Sequence, residues 1–541
     1  MLNKSKTINE NYAARIARID EIHPIPDAHS IVKAVLGTDT VVVGKDMKVG
    51  DIVAYFPEGS CISEKYLSAH NLYEASCAEK NSNYEAYKEL CMQIQGLMTK
   101  PGKTEEDLSK LQEMEARRKG MVGFFNKQGR VRCIKLRGEM SMGYVAPVTT
   151  LEKVWPELRT VLWSRELGNN YDMVGNDLLC WKYIPPVKEE KETDYPAGYK
   201  MPWYMKSLRK LKKFDRLIPG FFRPHYDTAL LERNAHLIDP QDVITETVKV
   251  HGTSVILANL PVRRKLNWWE RFLKKLHIEV DETEFGGIYS TRRVIQNKYI
   301  NPFASRANNE PGNEYQAVNA DFIDFLSPGM TVYGEICGYK PSGKPIQAPK
   351  GIDHDYGCKP GEYKFMPYRI TETDATGDVK EWSIAEVMDW VDTVRQMLPE
   401  TEQDKLMDMV LLYHGTAGDQ YSLYQQIKNS TTQAEYDTAL HEFTHAEDYA
   451  GYIPKRLENL DEFIKNKWRV AWIEAMRADK TGLGMELHEP LCRHPKAPRE
   501  GIVIRIDGDK ESRAWKLKAR KHAELAQKAK DAGEIDAEDI N

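Results

Sequence analysis

Nothing in these 541 residues approaches the ~20 uninterrupted apolar residues of a membrane-spanning helix, so no membrane contact is expected. Met1 to Glu10 lacks the apolar run of a secretory leader, and a cytoplasmic location is expected. Cysteine is sparse. The eight (Cys61, Cys77, Cys91, Cys133, Cys180, Cys337, Cys358 and Cys492) are scattered without a CxxC pair, and reduced thiols are expected rather than a disulfide framework. Internal repeats are missing. A strong charge of one sign is missing too, because the formal net charge of −5 argues against a protein that coats nucleic acid.

What is present is the balance of a soluble globular protein, with 41% hydrophobic and 29% charged residues. The length predicts roughly two to four domains. Two basic patches stand out. Lys206 to Arg216 carries six basic residues against one acid, and Arg263 to Lys275 carries six more around Trp268 and Trp269. Either could meet phosphate or form a solvated helix face.

Tyr12 to Pro57 reads as short β-branched runs broken by Gly-Asp and Pro turns, the pattern of a small barrel or sandwich. Glu79 to Lys119 is polar and helical in character, and Arg130 to Val148 returns to strand-like alternation. The simplest account is a β-module over residues 1–183 with a helical insertion at about 66–125. Tyr183 to Pro202 is rich in Pro and charge and reads as the start of a basic linker, 184–225. The remainder, 226–541, is expected to carry a helical insertion at about 375–490. There Ser383 and Glu386 form a capping box ahead of Val387, Val391, Val394 and Leu398 on one helical face.

The chemistry centres on Lys249-Val250-His251-Gly252-Thr253-Ser254, preceded by the β-prone run Val243 to Val248. Alone, KxxG occurs by chance in long chains. Here it is followed in order by Tyr289-Ser290-Thr291-Arg292, Tyr333-Gly334-Glu335, Lys364 to Ile370, Glu500-Gly501-Ile502-Val503-Ile504 and Trp515-Lys516-Leu517-Lys518. An attacking lysine must be neutral, and nearby positive charge lowers an amine pKa from its usual ~10.4. Side chains two apart on a strand share a face, so Lys516 and Lys518 can enter one pocket with Lys249. Gly252 leaves room for close backbone approach. The same alternation places Glu335 with Tyr333 and Glu500 with Ile502, each carboxylate facing the cleft.

This ordered set resembles the motifs of the covalent nucleotidyltransferases, which comprise DNA ligases, RNA ligases and capping enzymes. KVHGTS is closer to the RNA ligase 2 family, Tyr226 to Asn234 resembles its lead-in, and the amino-terminal segments resemble the OB module of some RNA ligases. The resemblance covers Tyr226 to Arg520, less the insertion. It implies an α+β fold: an OB-like β-barrel with a helical insertion, then a nucleotidyltransferase domain of ATP-grasp-like mixed antiparallel sheets and helices. It implies an ATP-dependent RNA ligase that joins a 3′-hydroxyl to a 5′-phosphate through lysyl-AMP on Lys249, in RNA repair. ATP and Mg2+ or Mn2+ are the implied cofactors, and RNA or an RNA-containing duplex the partner, with no protein partner indicated. Glu335 is assigned to the ribose, Glu500 to metal or its water shell, Arg292 to the nucleotide or end phosphate, and Phe365 or Tyr368 to adenine stacking. Members of this family carry Glu directly before the lysine and Asn at the end of KxHGTN, where this chain has Val248 and Ser254; Glu246 is then a candidate for the adenine contact.

One rival pattern remains. His441-Glu442-Phe443-Thr444-His445 matches HExxH, whose histidines bind zinc on one helical face. The extended form fails at Asp448 and Gly451, although Glu458 or Glu462 could supply a third ligand. A zinc metallopeptidase and a DNA ligase are therefore the alternatives.

Overall fold

The computed structural model describes residues 2–184 apart from 7, 38 and 103; 214–300 apart from 226, 227 and 293; 313–438 apart from 430, 431 and 436; 472–476 apart from 474; and 488–532 apart from 509 and 510. The chain divides into two compact units, Met1–Ile184 and Pro185–Asn541. No described helix is long and apolar enough to cross a membrane.

In the first unit, β1 (Ala14–Arg18), β2 (Glu21–Pro24), β3 (Ile31–Leu36), β4 (Asp39–Gly44) and β5 (Ile52–Pro57) are followed by α1 (Glu64–Ala69), α2 (Tyr84–Thr99) and α3 (Glu105–Gly120). Strands β6 (Gly143–Pro147) and β7 (Asn170–Tyr171) complete a four-stranded sheet in the order β6–β5–β1–β7, while β2–β3–β4 form a separate ladder. Where the resemblance implies a barrel, the described strands of this unit fall into five sheets, of which these two are the larger antiparallel ladders at its core. Strand β5 is apolar on both faces, and alternation explains its use: Ala54 and Phe56 enter one core, Val53 and Tyr55 the other. The helical stretch is capped locally, Thr104 and Asp107 closing a capping box at the start of α3.

The second unit is built on two five-stranded sheets. Its strands are β8 (Ala229–Leu230), β9 (Val243–Lys249), β10 (Thr253–Arg263), β11 (Thr283–Thr291), β12 (Met330–Gly338), β13 (Tyr363–Thr373), β14 (Val379–Glu381), β15 (Leu411–Thr416), β16 (Gly501–Ile506) and β17 (Arg513–Lys518). The first sheet runs β8–β17–β16–β9–β15 and the second β11–β10–β12–β13–β14. Its helices are α4 (Trp268–Lys275), α5 (Glu314–Phe322), α6 (Ile384–Met397), α7 (Ala417–Asn429) and α8 (Arg520–Asp531).

The Ser383 side chain accepts from the Glu386 N–H, and Glu386 accepts from the Ser383 N–H at 2.7 Å, starting α6 as the sequence predicts. Val387, Trp390, Val391 and Val394 of α6 are buried in the core cluster that contains Phe365, Ile370, Val318 and Phe322. Each such aliphatic side chain stabilises the fold by about 1.5–3 kcal/mol relative to exposure. The stretch 375–490 therefore does more than insert helices: α6 covers the second sheet, and β15 pairs with β9 as an edge of the first. The run Leu411 to Thr416, LLYHGT, does not alternate strictly, so its strand role does not show in periodicity.

Candidate active site

Lys249 is the last residue of β9, and only Val250 to Gly252 separate it from β10 in the other sheet. Strand alternation decides what surrounds it. On the first sheet Val248, Ile502, Ile504, Trp515 and Leu517 face a buried core. The opposite face presents Thr247, Lys249, Val503, Arg505, Ala514 and Lys516 to a cleft. The second sheet lines the same cleft with Ser254, Arg292, Glu335, Tyr368, Arg369 and Glu381. Five cations (Lys249, Arg292, Arg369, Arg505 and Lys516) thus face two carboxylates (Glu335 and Glu381), a balance suited to a polyanion.

The Lys249 Nζ donates to Glu500 Oε1 at 2.8 Å, and Glu500 Oε2 lies 3.3 Å from His251 Nδ1. Burial alone would raise the Glu500 carboxyl, but the charge of Lys249 and then the contacts of His251 hold it well below the usual carboxylate range. Gly501 lies opposite Lys249 on one side and Lys518 on the other. A Cβ there would fall 2.1 Å from the Leu517 carbonyl oxygen, and its φ of 153° favours glycine. This backbone turn explains a departure from simple alternation: Glu500 reaches Lys249 while Ile502 stays in the core.

The loop after Lys249 is held by groups from distant segments. The His251 N–H donates to the Tyr356 hydroxyl at 2.6 Å, Gln347 Nε2 donates to the Gly252 carbonyl at 2.8 Å, and the Thr253 and Tyr315 hydroxyls share a hydrogen bond of 2.6 Å. Ser254 Oγ donates to Glu335 Oε2 at 3.2 Å. Across the cleft Arg369 makes two hydrogen bonds to Glu381, at 3.0 and 2.8 Å, and lies 4.7 Å from the centre of the Tyr333 ring. Arg505 donates to the Tyr368 carbonyl at 3.3 Å and to Ser512 Oγ at 2.9 Å. Both guanidinium groups are therefore fixed by the fold itself.

No protein-family model and no curated protein matches the chain. Among solved structures it is similar to an RNA ligase of Naegleria gruberi. A substituted form without ligand gives 16% identity and a TM-score of 0.47 over 96% of this chain and 100% of that one. The same enzyme with pyrophosphate gives 17% and 0.45 over 96% and 98%. A form holding AMP and manganese gives 16% and 0.45 over 95% and 98%.

Of the residues singled out from sequence, Lys249, Lys516, Glu335, Arg292 and Tyr368 line one cleft, and Glu500 is bonded to Lys249. Lys518 stands one strand beyond Gly501 on the face of Lys516. Three assignments change. Phe365 is fully buried, packed 5.2 Å from Phe322 in the core, so it does not reach the cleft. Phe365 and Tyr368 are three positions apart on β13 and so point to opposite faces, while the register shift in the β12–β13 ladder, between the pairs Tyr333–Arg369 and Gly334–Pro367, brings Arg369 to the cleft beside Tyr368. Glu246 lies on the core face of β9, where Gln420 of α7 donates to it, and burial pushes its carboxyl up to about 7. Gly252 does admit close backbone approach, but to β12: a Cβ would meet the Ile336 carbonyl oxygen at 2.2 Å. Arg505 and Arg369 were missed, although the alternation that places Thr247 and Lys249 would have placed Arg505 beside Val503. Tyr356, Gln347 and Tyr315 carry no local signal. The HExxH pattern at 441–445 and its possible partners Glu458 and Glu462 lie outside the described residues, as do residues 185–213 of the expected linker.

Proposed function

We propose that the chain is an ATP-dependent RNA ligase that forms a covalent AMP adduct on Lys249 and uses it to join a 3′-hydroxyl to a 5′-phosphate end in RNA repair. The observation that carries this reading is the position of Lys249, at the mouth of a strand, bonded to Glu500 and open to a cleft with five cations. A phosphate-rich nucleotide fits that cleft better than a neutral or cationic ligand.

In the first step the Lys249 Nζ bonds to the α-phosphorus of ATP and the bond to pyrophosphate breaks. The amine must first leave Glu500 and lose its proton. Lys516, with Lys518 beside it, stabilises the charge that develops on the α-phosphate, while Arg292, Arg369 and Arg505 are the anchors for the remaining phosphates. AMP then passes to the 5′-phosphate end, and the 3′-hydroxyl displaces it. Tyr368 is the aromatic face available to adenine, and Glu335, oriented by Ser254, is the acceptor available to a ribose hydroxyl.

Glu500 and Glu335 would hold magnesium or manganese. Glu500 Oε1, bonded to Lys249 at 2.8 Å, becomes an oxygen donor for a hard cation once the amine leaves it. Such an ion, when bound, neutralises phosphate charge. RNA is preferred to DNA because of the wording KVHGTS and the OB-like character of the first unit.

The test is incubation with α-labelled ATP and magnesium, followed by denaturing electrophoresis. The intact chain is expected to carry the label and Lys249→Ala to carry none, since alanine cannot form the phosphoramide. Full labelling of the alanine variant would end the assignment.

A further inference from the structure

Behind Lys249 lies a group of imidazoles that the ligase chemistry leaves unused. His251 follows the nucleophile by two residues, and His522 is in the first turn of α8, which begins at Arg520. With Glu500 they form a buried trio, 4%, 2% and 2% exposed, whose candidate ligand atoms all lie within 4.8 Å of one another. Four ligands held tetrahedrally at ~2.0–2.2 Å from an ion stand about 3.3–3.6 Å apart. His251 Nδ1 and Glu500 Oε2 are already 3.3 Å apart.

A second observation points to a missing ligand. Both ring nitrogens of His522 lack a hydrogen-bond partner among the described residues. A buried polar nitrogen left unsatisfied is destabilising, so such a ring is rarely kept without a partner. Edge-on packing fixes the surroundings: the His251 ring centre lies 4.5 Å from that of His522 and 4.8 Å from that of His354. His354 in turn is oriented by the Pro498 carbonyl, 3.2 Å from its Nε2.

We propose that His251, His522 and Glu500 bind a divalent transition-metal ion of the zinc class, which fastens the first turn of α8 to the loop after Lys249. Imidazole donors select zinc, nickel or copper over magnesium, which prefers carboxylate, carbonyl and water oxygens. The site is therefore distinct in ion class from the magnesium or manganese of nucleotide chemistry, and it stands or falls without the ligase reading. Glu500 belongs to both sets, holding Lys249 through Oε1 and presenting Oε2 to the ion. Three protein ligands leave a fourth position open.

The experiment uses the full chain, stripped with a chelator and titrated with zinc against a chromophoric chelator in excess magnesium; cobalt then replaces zinc for absorption spectroscopy. One zinc per chain is expected, not displaced by magnesium. His522→Ala should weaken binding by about 100-fold or more, beyond the usual effect of removing an outer-shell partner. His441→Ala combined with His445→Ala should leave the affinity intact. Should His522→Ala fail to fold, His522→Asn takes its place. His522→Cys adds an independent readout, because a sulfur-to-cobalt charge-transfer band arises only if residue 522 is itself a ligand. No zinc on the intact chain, equal binding by the His522→Ala or His522→Asn variant, loss of zinc in the His441 and His445 variant, or bound cobalt without that band in His522→Cys would each overturn the proposal.

Discussion

Replacing Glu246 by glutamine should stabilise the protein at pH 8 and do so much less at pH 5. Glu246 is 2% exposed, and burial lifts its carboxyl from the usual 4.5 to about 7. Because the folded pKa lies above the unfolded one, the native state binds the proton more tightly. The contribution is fully present below the unfolded value, declines as pH rises between about 4.5 and about 7, and is gone above. The difference of about 2.5 units, at ~1.36 kcal/mol each, bounds the cost of ionised Glu246 at about 3 kcal/mol. That figure is already net of the Gln420 hydrogen bond and the charge of Arg499, both of which favour the carboxylate. The local geometry tolerates the change: Trp472 Nε1 donates to Gln420 Oε1 at 2.7 Å, which turns the Gln420 amide group toward residue 246, where the new carbonyl can accept. A gain of about 1–3 kcal/mol at pH 8 is therefore expected. Urea unfolding at pH 5 and pH 8 measures it, with α-labelled ATP confirming that AMP labelling survives. An equal change at both pH values, or a loss at pH 8, would refute the electrostatic argument. Loss of labelling in a stable variant would restore Glu246 to the nucleotide site.

Phe365→Ala should destabilise the protein by about 3–5 kcal/mol through a core cavity, whereas Tyr368→Ala should spare stability and raise the KM for ATP; melting curves and labelling kinetics separate the two. A fragment starting at Phe214 should still take the AMP label but seal ends poorly, because an OB-like first unit would supply a groove and stacking surface for nucleic acid; sealing equal to that of the full chain would remove that role. Four nicked duplexes, RNA or DNA on each side of the break and pre-adenylylated at the 5′ end, should seal much faster when the 3′ end is RNA, because the 2′-hydroxyl offers a donor and an acceptor. Equal single-turnover rates would point to a DNA ligase.

Much of the candidate site was legible because strands impose a period of two. KVHGTS, the YGE strand and WKLK each put one charged residue, Lys249, Glu335 and Lys516, on the cleft. Legibility failed where geometry is not periodic. A register shift at Tyr368 in the β12–β13 ladder brings Arg369 to the cleft beside it, out of alternation, and the positive φ at Gly501 turns Glu500 toward Lys249. Glu246 was named because Val248 stands where relatives carry Glu, yet alternation from Lys249 puts it on the core face, where Gln420, 174 positions away, donates to it. The helices followed their local signals, capping box and apolar face together at α6. Tyr356, Gln347 and Tyr315 come from segments far along the chain, and pairing at that range leaves no trace in local sequence.

The place of Lys249 at the end of a central strand limits how this site could have evolved. A lysine moved one position, to 248, would be turned into the apolar core that Val248 occupies. Moved to 250, it would replace a side chain buried in the core of the second sheet. Retreat by two positions reaches Thr247, which faces the cleft, but one strand repeat of ~6.6 Å farther from Glu500 and the turn at Gly501. Drift by single substitutions is thus closed in both directions, and a lineage that loses this lysine has no neighbouring residue ready to inherit its work.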